Sequence, residues 1–215
     1  MTIVDTAPLP PPAPSSPPSA PRRGRVLGAV TGVLVLALAG AALAANMYYD
    51  SIPEAPEIRD NQAVVRVRDV PAPVLNTFVA AVDPDFYAGG DWPWSSSLIT
   101  QRYVIVAAED FEAPALRTAV MASKLEDKYM MTDILGFYLS TADFGRGVTG
   151  LDAAAQAHFR KPATALTVAE AARLAVLLDP DAPADPRAAW DRVLGTMVER
   201  GWLSQAERDA LRYPA

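Results

Sequence analysis

The feature that most constrains this chain is the run from Val26 to Ala45, which is apolar and carries no charge over 20 residues. As a helix rising about 1.5 Å per residue it would span about 30 Å, the thickness of a bilayer core. It predicts a transmembrane helix over residues 26–45. Arg22, Arg23 and Arg25 precede it against the lone acid Asp5. That bias predicts a cytoplasmic N-terminus and an extracytoplasmic remainder. Asn46, Tyr48 and Tyr49 follow as interface residues. Ala42-Leu43-Ala44 resembles a signal-peptidase site, but the long lead and the full-length run favour a retained anchor.

Residues 1–25 read as a tail. Eight prolines lie between positions 8 and 21 among Ser and Ala. Proline lacks a backbone donor and resists helix, so the expectation is a disordered proline-rich segment. Beyond residue 45 the chain is acidic, with 24 of the 25 acids but only 16 of the 19 bases. There is no basic stripe, which argues against nucleic acid as a partner. No cysteine is present and His158 is the only histidine. Thiol chemistry, Cys-ligated zinc and multi-His metal sites are excluded. Catalysis, if any, would use carboxylates, hydroxyls, amides and guanidiniums.

The exported part reads as mainly helical. After a linker over 46–67, in which Ala63–Arg68 alternates weakly like a short extended piece, Pro71 opens a helix through Leu75, Phe78, Val79 and Val82. Further helices are predicted over Leu98–Ala108, from Pro114 through Leu125, over Thr132–Ala142 and over Arg187–Arg200. Thr167 with Glu170 and Ser204 with Glu207 have the spacing of capping boxes. Gly145, Gly147 and Gly150 mark a loop.

The stretch Phe144–Lys161, with Ile134–Leu139 before it and Leu166–Ala175 after it, resembles the glycosyltransferase family 51 domain. That is the peptidoglycan glycosyltransferase, or transglycosylase, domain of class A penicillin-binding proteins and monofunctional transglycosylases. The collinear order of motifs carries the likeness over residues 68–215. The resemblance implies a lysozyme-like, mainly α domain behind one N-terminal transmembrane helix. It implies lipid II as substrate, a glutamate as general base on the acceptor hydroxyl and a second glutamate near the pyrophosphate. A sugar hydroxyl needs such a base, and a departing pyrophosphate needs stabilised charge.

Residue by residue, the match is selective. The first motif reads Val82-Asp83-Pro84-Asp85-Phe86-Tyr87, with Val82 at the catalytic glutamate and Gly89 at its closing histidine. The second keeps Ser97, Thr100 and Gln101, while Leu98, Arg102 and Ile105 depart. In the third, Pro114 and Ala115 stand at the Arg-Lys positions and Thr118 at the second glutamate. The fourth keeps Ile134, Leu135, Tyr138 and Leu139, with Met131 for lysine and Ser140 for asparagine. The fifth keeps Arg146, Gly147, Gly150, Ala154 and Phe159. Fold-building positions match; ionisable ones are replaced. Valine and threonine cannot take up a proton as a carboxylate does.

By resemblance, then, the chain is a degenerate member with no intact catalytic residue. Asp83 and Asp85 are the fallback carboxylates, each otherwise a turn aspartate. Ser97, Thr100, Gln101, Arg102 and Arg146 form the candidate substrate-binding set. No cofactor is expected; a divalent metal would serve only an active enzyme. The expected setting is a bacterial cell membrane, with lipid II or a glycan strand and other cell-wall synthases as partners. Two rival expectations are an active polymerase with relocated carboxylates and a purely structural interaction module. Glu126-Asp127-Lys128 reads as an exposed helix face, Arg160 and Lys161 as surface charges, and His158 as a packing residue. Trp92 and Trp94 read as interface side chains. No penicillin-reactive S-x-x-K set is visible, so beta-lactam binding is not expected.

Overall fold

A computed structural model describes residues 23–56, 67–88 and 95–214. Trp92, Trp94, Gly89, the proline-rich tail and Ala63–Arg66 lie outside the described residues. The chain divides into two units, Met1–Tyr48 and Tyr49–Ala215.

The first unit holds helix α1 (Arg23–Ser51) except for its last turn. Val30–Ser51 is long and apolar enough to cross a membrane. Its side chains from Val30 onward are apolar on every face and mostly exposed, Leu36 by 74%. A helix apolar all round with no protein core over it suits a lipid environment. The helix also runs on through residues 46–51, where the linker was expected to begin.

The second unit is a helical assembly with no named strand among the described residues. Its helices are α2 (Ala72–Val82), α3 (Leu98–Ala107), α4 (Ala115–Lys128), α5 (Met131–Thr141), α6 (Leu151–Phe159), α7 (Val168–Ala175), α8 (Pro186–Glu199) and α9 (Gln205–Ala210). Helix α2 runs through the middle. Leu75, Phe78, Val79 and Val82 are all buried, as their spacing requires. It packs on α7 and α8, while α3 packs on α4 and α5. Phe78 meets Phe144 edge to face at 6.3 Å, tying α2 to the glycine loop. A second cluster gathers Trp190, Val193, Leu194 and Met197 of α8 under α7. The Trp190 indole donates to the Ala169 carbonyl at 2.9 Å, so its one polar atom is satisfied. Residues 49–56 are fastened to this unit by side chains of α3 and α4. The Lys124 ammonium donates to the Ile52 carbonyl at 2.6 Å and sits 4.6 Å from the Tyr49 ring centre. The Tyr103 hydroxyl donates to the Pro56 carbonyl at 3.2 Å.

Local details differ from the sequence reading in three places. Val67–Asp69 is a 3-10 turn, not an extended piece. The fifth motif builds a helix, α6, directly after Gly150. His158 is exposed at the end of α6 instead of packed.

Both expected capping boxes form. Thr167 and Glu170 exchange bonds at the start of α7, and Ser204 and Glu207 at the start of α9. Glu170 also holds Lys161 at 2.8 Å, so that lysine is paired and half-buried. Burial pushes the Glu170 carboxyl up, but the bonds from Lys161 and Thr167 outweigh it and hold it below its usual pKa. Its stabilising effect is therefore full above the ordinary glutamate pKa and fades as pH falls through the lowered one. Glu170→Gln should cost about 1–2 kcal/mol at pH 7. The cost should shrink in urea melts at acidic pH, and a pH-independent difference would contradict this account.

Candidate functional site

The site is built around the three-serine loop Ser95–Ser97 that leads into α3. Ser97 caps the helix: its hydroxyl accepts the Thr100 amide at 3.0 Å and pairs with the Thr100 hydroxyl at 3.0 Å. Gln101 reaches back one turn and donates to the Ser96 carbonyl at 2.9 Å. The Ser96 hydroxyl donates to the Ala119 carbonyl at 3.4 Å, next to Thr118. Two carboxylates then take consecutive backbone donors at the helix start. Glu126 accepts from the Ser97 amide at 2.9 Å, and Asp83 accepts from the Leu98 amide at 2.8 Å. Negative charge at a helix N-terminus is favoured by the aligned peptide dipoles.

The loop is thus tied on one side to the residue after Val82 and on the other to the residue after Thr118. Val82 and Thr118, the two positions that the motif alignment sets against the family's glutamates, each precede a residue bonded to this loop or to the helix start after it. Val82 is only 5% exposed and Thr118 only 4%. A small cleft of about 170 Å³ opens beside the loop, lined by Asp83, Asp85, Phe86, the three serines and Leu98. Neither Val82 nor Thr118 is among the residues lining it. Asp85 is exposed and ion-paired with Arg200 at 2.7 Å.

The candidate set is only partly gathered. Asp83, Asp85 and Ser97 share the cleft, with Thr100 and Gln101 supporting its loop. Arg102 is elsewhere. It donates to the Leu178 carbonyl at 2.7 Å and lines, with Tyr138, a separate cavity of about 340 Å³. Burial pushes the Tyr138 hydroxyl pKa up, and Arg102 only partly offsets this. Arg146 lines a third cavity on the glycine loop. No group of three or more His, Asp or Glu side chains among the described residues is placed to hold a metal ion.

Glu126 is the residue that sequence reasoning missed. It is half-buried against the loop, while Asp127 and Lys128 are exposed as expected. The available signal was its place four residues after the buried Ala122, on the inward face of α4. Glu126→Ala should cost about 1 kcal/mol by leaving the Ser97 amide without its partner. Hydrogen exchange at that amide should accelerate; unchanged protection would show that the loop is held by other bonds.

Comparison with known proteins agrees with this architecture. Residues 95–198 match the family model "Transglycosylase". Penicillin-binding protein 1A of Mycolicibacterium smegmatis is 33% identical over 186 residues, covering 72% of this chain and 24% of that protein. The Mycobacterium tuberculosis protein of the same name is 34% identical over 186 residues, covering 72% and 23%. A biosynthetic peptidoglycan transglycosylase of a Marinomonas species is 39% identical over 98 residues, covering 44% and 43%. The chain spans about a quarter of the length of the two penicillin-binding proteins. The match over residues 95–198, the relatives and the helical fold together place the chain in the transglycosylase family, glycosyltransferase family 51.

Proposed function

We propose that this domain works in cell-wall synthesis at the membrane as a binding module that has given up catalysis. Its ligand is lipid II or the glycan strand made from it, offered to or shared with a synthase partner. The observation that supports this reading is the burial of Val82 and Thr118, 5% and 4% exposed, which the motif alignment sets against the family's two glutamates. Neither can serve as a base. The acids bordering the cleft already have partners: Asp83 holds the Leu98 amide and Asp85 holds Arg200. The arginines before the apolar run support a cytoplasmic N-terminus, with the domain over residues 68–215 outside.

The test is direct. The full chain in detergent, given lipid II, should bind it and make no polymer. Polymerisation that disappears in Asp83→Asn would overturn the reading in favour of an active enzyme with relocated carboxylates. That rival has one observation on its side, since Asp83 and Asp85 both line the cleft. Failure to bind lipid II or glycan strands would leave the domain as a purely structural module.

A further inference from the structure

The loop between α3 and α4 presents Phe111, the most exposed of the described aromatic side chains in the second unit at 73%. Leu116, in the first turn of α4, is 52% exposed, and Val106, near the end of α3, is exposed too. Val106 carries the apolar surface on into the wall of the cavity of about 340 Å³, which Leu177 also lines. Single apolar residues scattered over a surface mean little, but several on one helix–loop–helix edge mark a contact surface.

The surroundings of Phe111 are acidic. Glu109, Asp110 and Glu112 bracket it, and residues 103–115 contain no lysine or arginine. Arg117 answers Asp110 at 3.8 Å. Glu109 and Glu112 are exposed and form no ion pair among the described residues. By the motif alignment, Ile105 at one end of this segment and Pro114 and Ala115 at the other stand where the family has cations. A segment whose motif positions call for positive charge here offers unpaired carboxylates and apolar groups.

The loop is held in one shape. The Glu109 amide donates to the Val106 carbonyl at 3.2 Å, the Asp110 amide to the Ile105 carbonyl at 3.2 Å and the Ala113 amide to the Asp110 carbonyl at 3.4 Å. Glu109 takes φ +52°, a left-handed conformation that a non-glycine residue adopts at a cost. Phe111 is therefore presented on a fixed backbone, with little ordering entropy left to lose on contact.

We infer that this loop is a docking surface for a basic segment of a protein partner, which receives Phe111 in an apolar pocket and sets lysine or arginine against Glu109 and Glu112. An aromatic anchor inside a charged rim is the common anatomy of a protein interface. The two acids choose between occupants. A surface rich in anionic lipid would repel them, and carrying them below the headgroups would bury unpaired charge. A cationic partner is attracted and oriented by the same two groups. The surface shares no residue with the cleft beside α3, so it does not depend on glycan binding there.

Photo-crosslinking of the full chain in its native membrane tests this. p-Benzoylphenylalanine in place of Phe111 should attach to a protein other than this chain. The attached peptide, mapped by mass spectrometry, should carry lysine or arginine beside apolar residues. The same probe at Gln205, exposed on α9, should not give that product. Adding Glu109→Lys and Glu112→Lys should cut the yield about tenfold or more. Glu109→Gln with Glu112→Gln, a gentler pair should the reversal disturb the fold, should cut it less but measurably. The mapped segment, made as a peptide, should bind the purified chain in non-ionic micelles and weaken as sodium chloride rises from about 50 to about 500 mM. Attachment to lipid would make the loop a membrane contact, and attachment to a second copy would make it a self-association surface. Either result overturns the inference, as does the absence of a product or a yield indifferent to both pairs of charge changes.

Discussion

Gly150→Ala is expected to destabilise the domain by about 3 kcal/mol or more, a large part of the roughly 5–15 kcal/mol that a domain possesses. Two costs coincide there. The residue sits at φ +89°, which an L side chain adopts only with strain. A methyl group would also stand 2.9 Å from the Ser140 carbonyl oxygen, which is backbone and cannot swing aside. Relief would require parting α5 from the start of α6, and the Gly150 amide now donates to the Ala142 carbonyl at 2.9 Å across that junction. Gly147→Ala is the matched control. It carries a similar φ of +77° but meets nothing within 4 Å, so it should cost only about 1 kcal/mol. Urea melts followed by circular dichroism would check the pair. Equal midpoints for the two variants would show that the close approach at Gly150 is not what limits it.

The second large effect is catalytic. Lipid II polymerisation by this chain should fall below that of an intact family member by at least about 10⁴-fold. Loss of one positioned acid–base group alone costs about 10²–10⁴ in rate. Here Val82 and Thr118 replace two carboxylates, and Pro114, Ala115 and Ile105 replace cations, by the motif alignment. The losses do not simply multiply, because groups acting as one unit lose their effect together. A gel of the products after prolonged incubation would suffice as readout. Polymer at anything near an ordinary enzyme's rate would mean that a carboxylate outside the motif positions has taken over. Asp83 and Asp85 would then be the first to substitute.

How legible these features were depends on how far apart the partners lie in sequence. Helix α2 was readable because the period of Leu75, Phe78, Val79 and Val82 is a local property. The capping boxes at Thr167 and Ser204 were readable because both partners fall within one turn. The family was readable because the order and spacing of its apolar and glycine motif positions are properties of the sequence itself. Glu126 was not, since its partner is a backbone amide 29 residues away, and a backbone amide has no sequence signature. The bond between Asp85 and Arg200 joins residues still farther apart. His158 was misread because the helix that ends beside it was not anticipated, and at the last turn of α6 the ring lies at a cavity rim. Ser97, Thr100 and Gln101 were found as a set, but the reason they belong together is the geometry of a helix start.

That helix start has a consequence for any ligand. The first amides of a helix are a natural seat for phosphate or carboxylate. At α3 the seat is already taken by the domain's own Glu126 and Asp83. Tethered groups of this kind act at a very high effective concentration compared with a dissolved competitor. An incoming anion must therefore evict a built-in rival. The domain behaves at this point like a receptor delivered with its inhibitor in place, and a glycan bound there would be held by hydroxyls and apolar edges more than by charge.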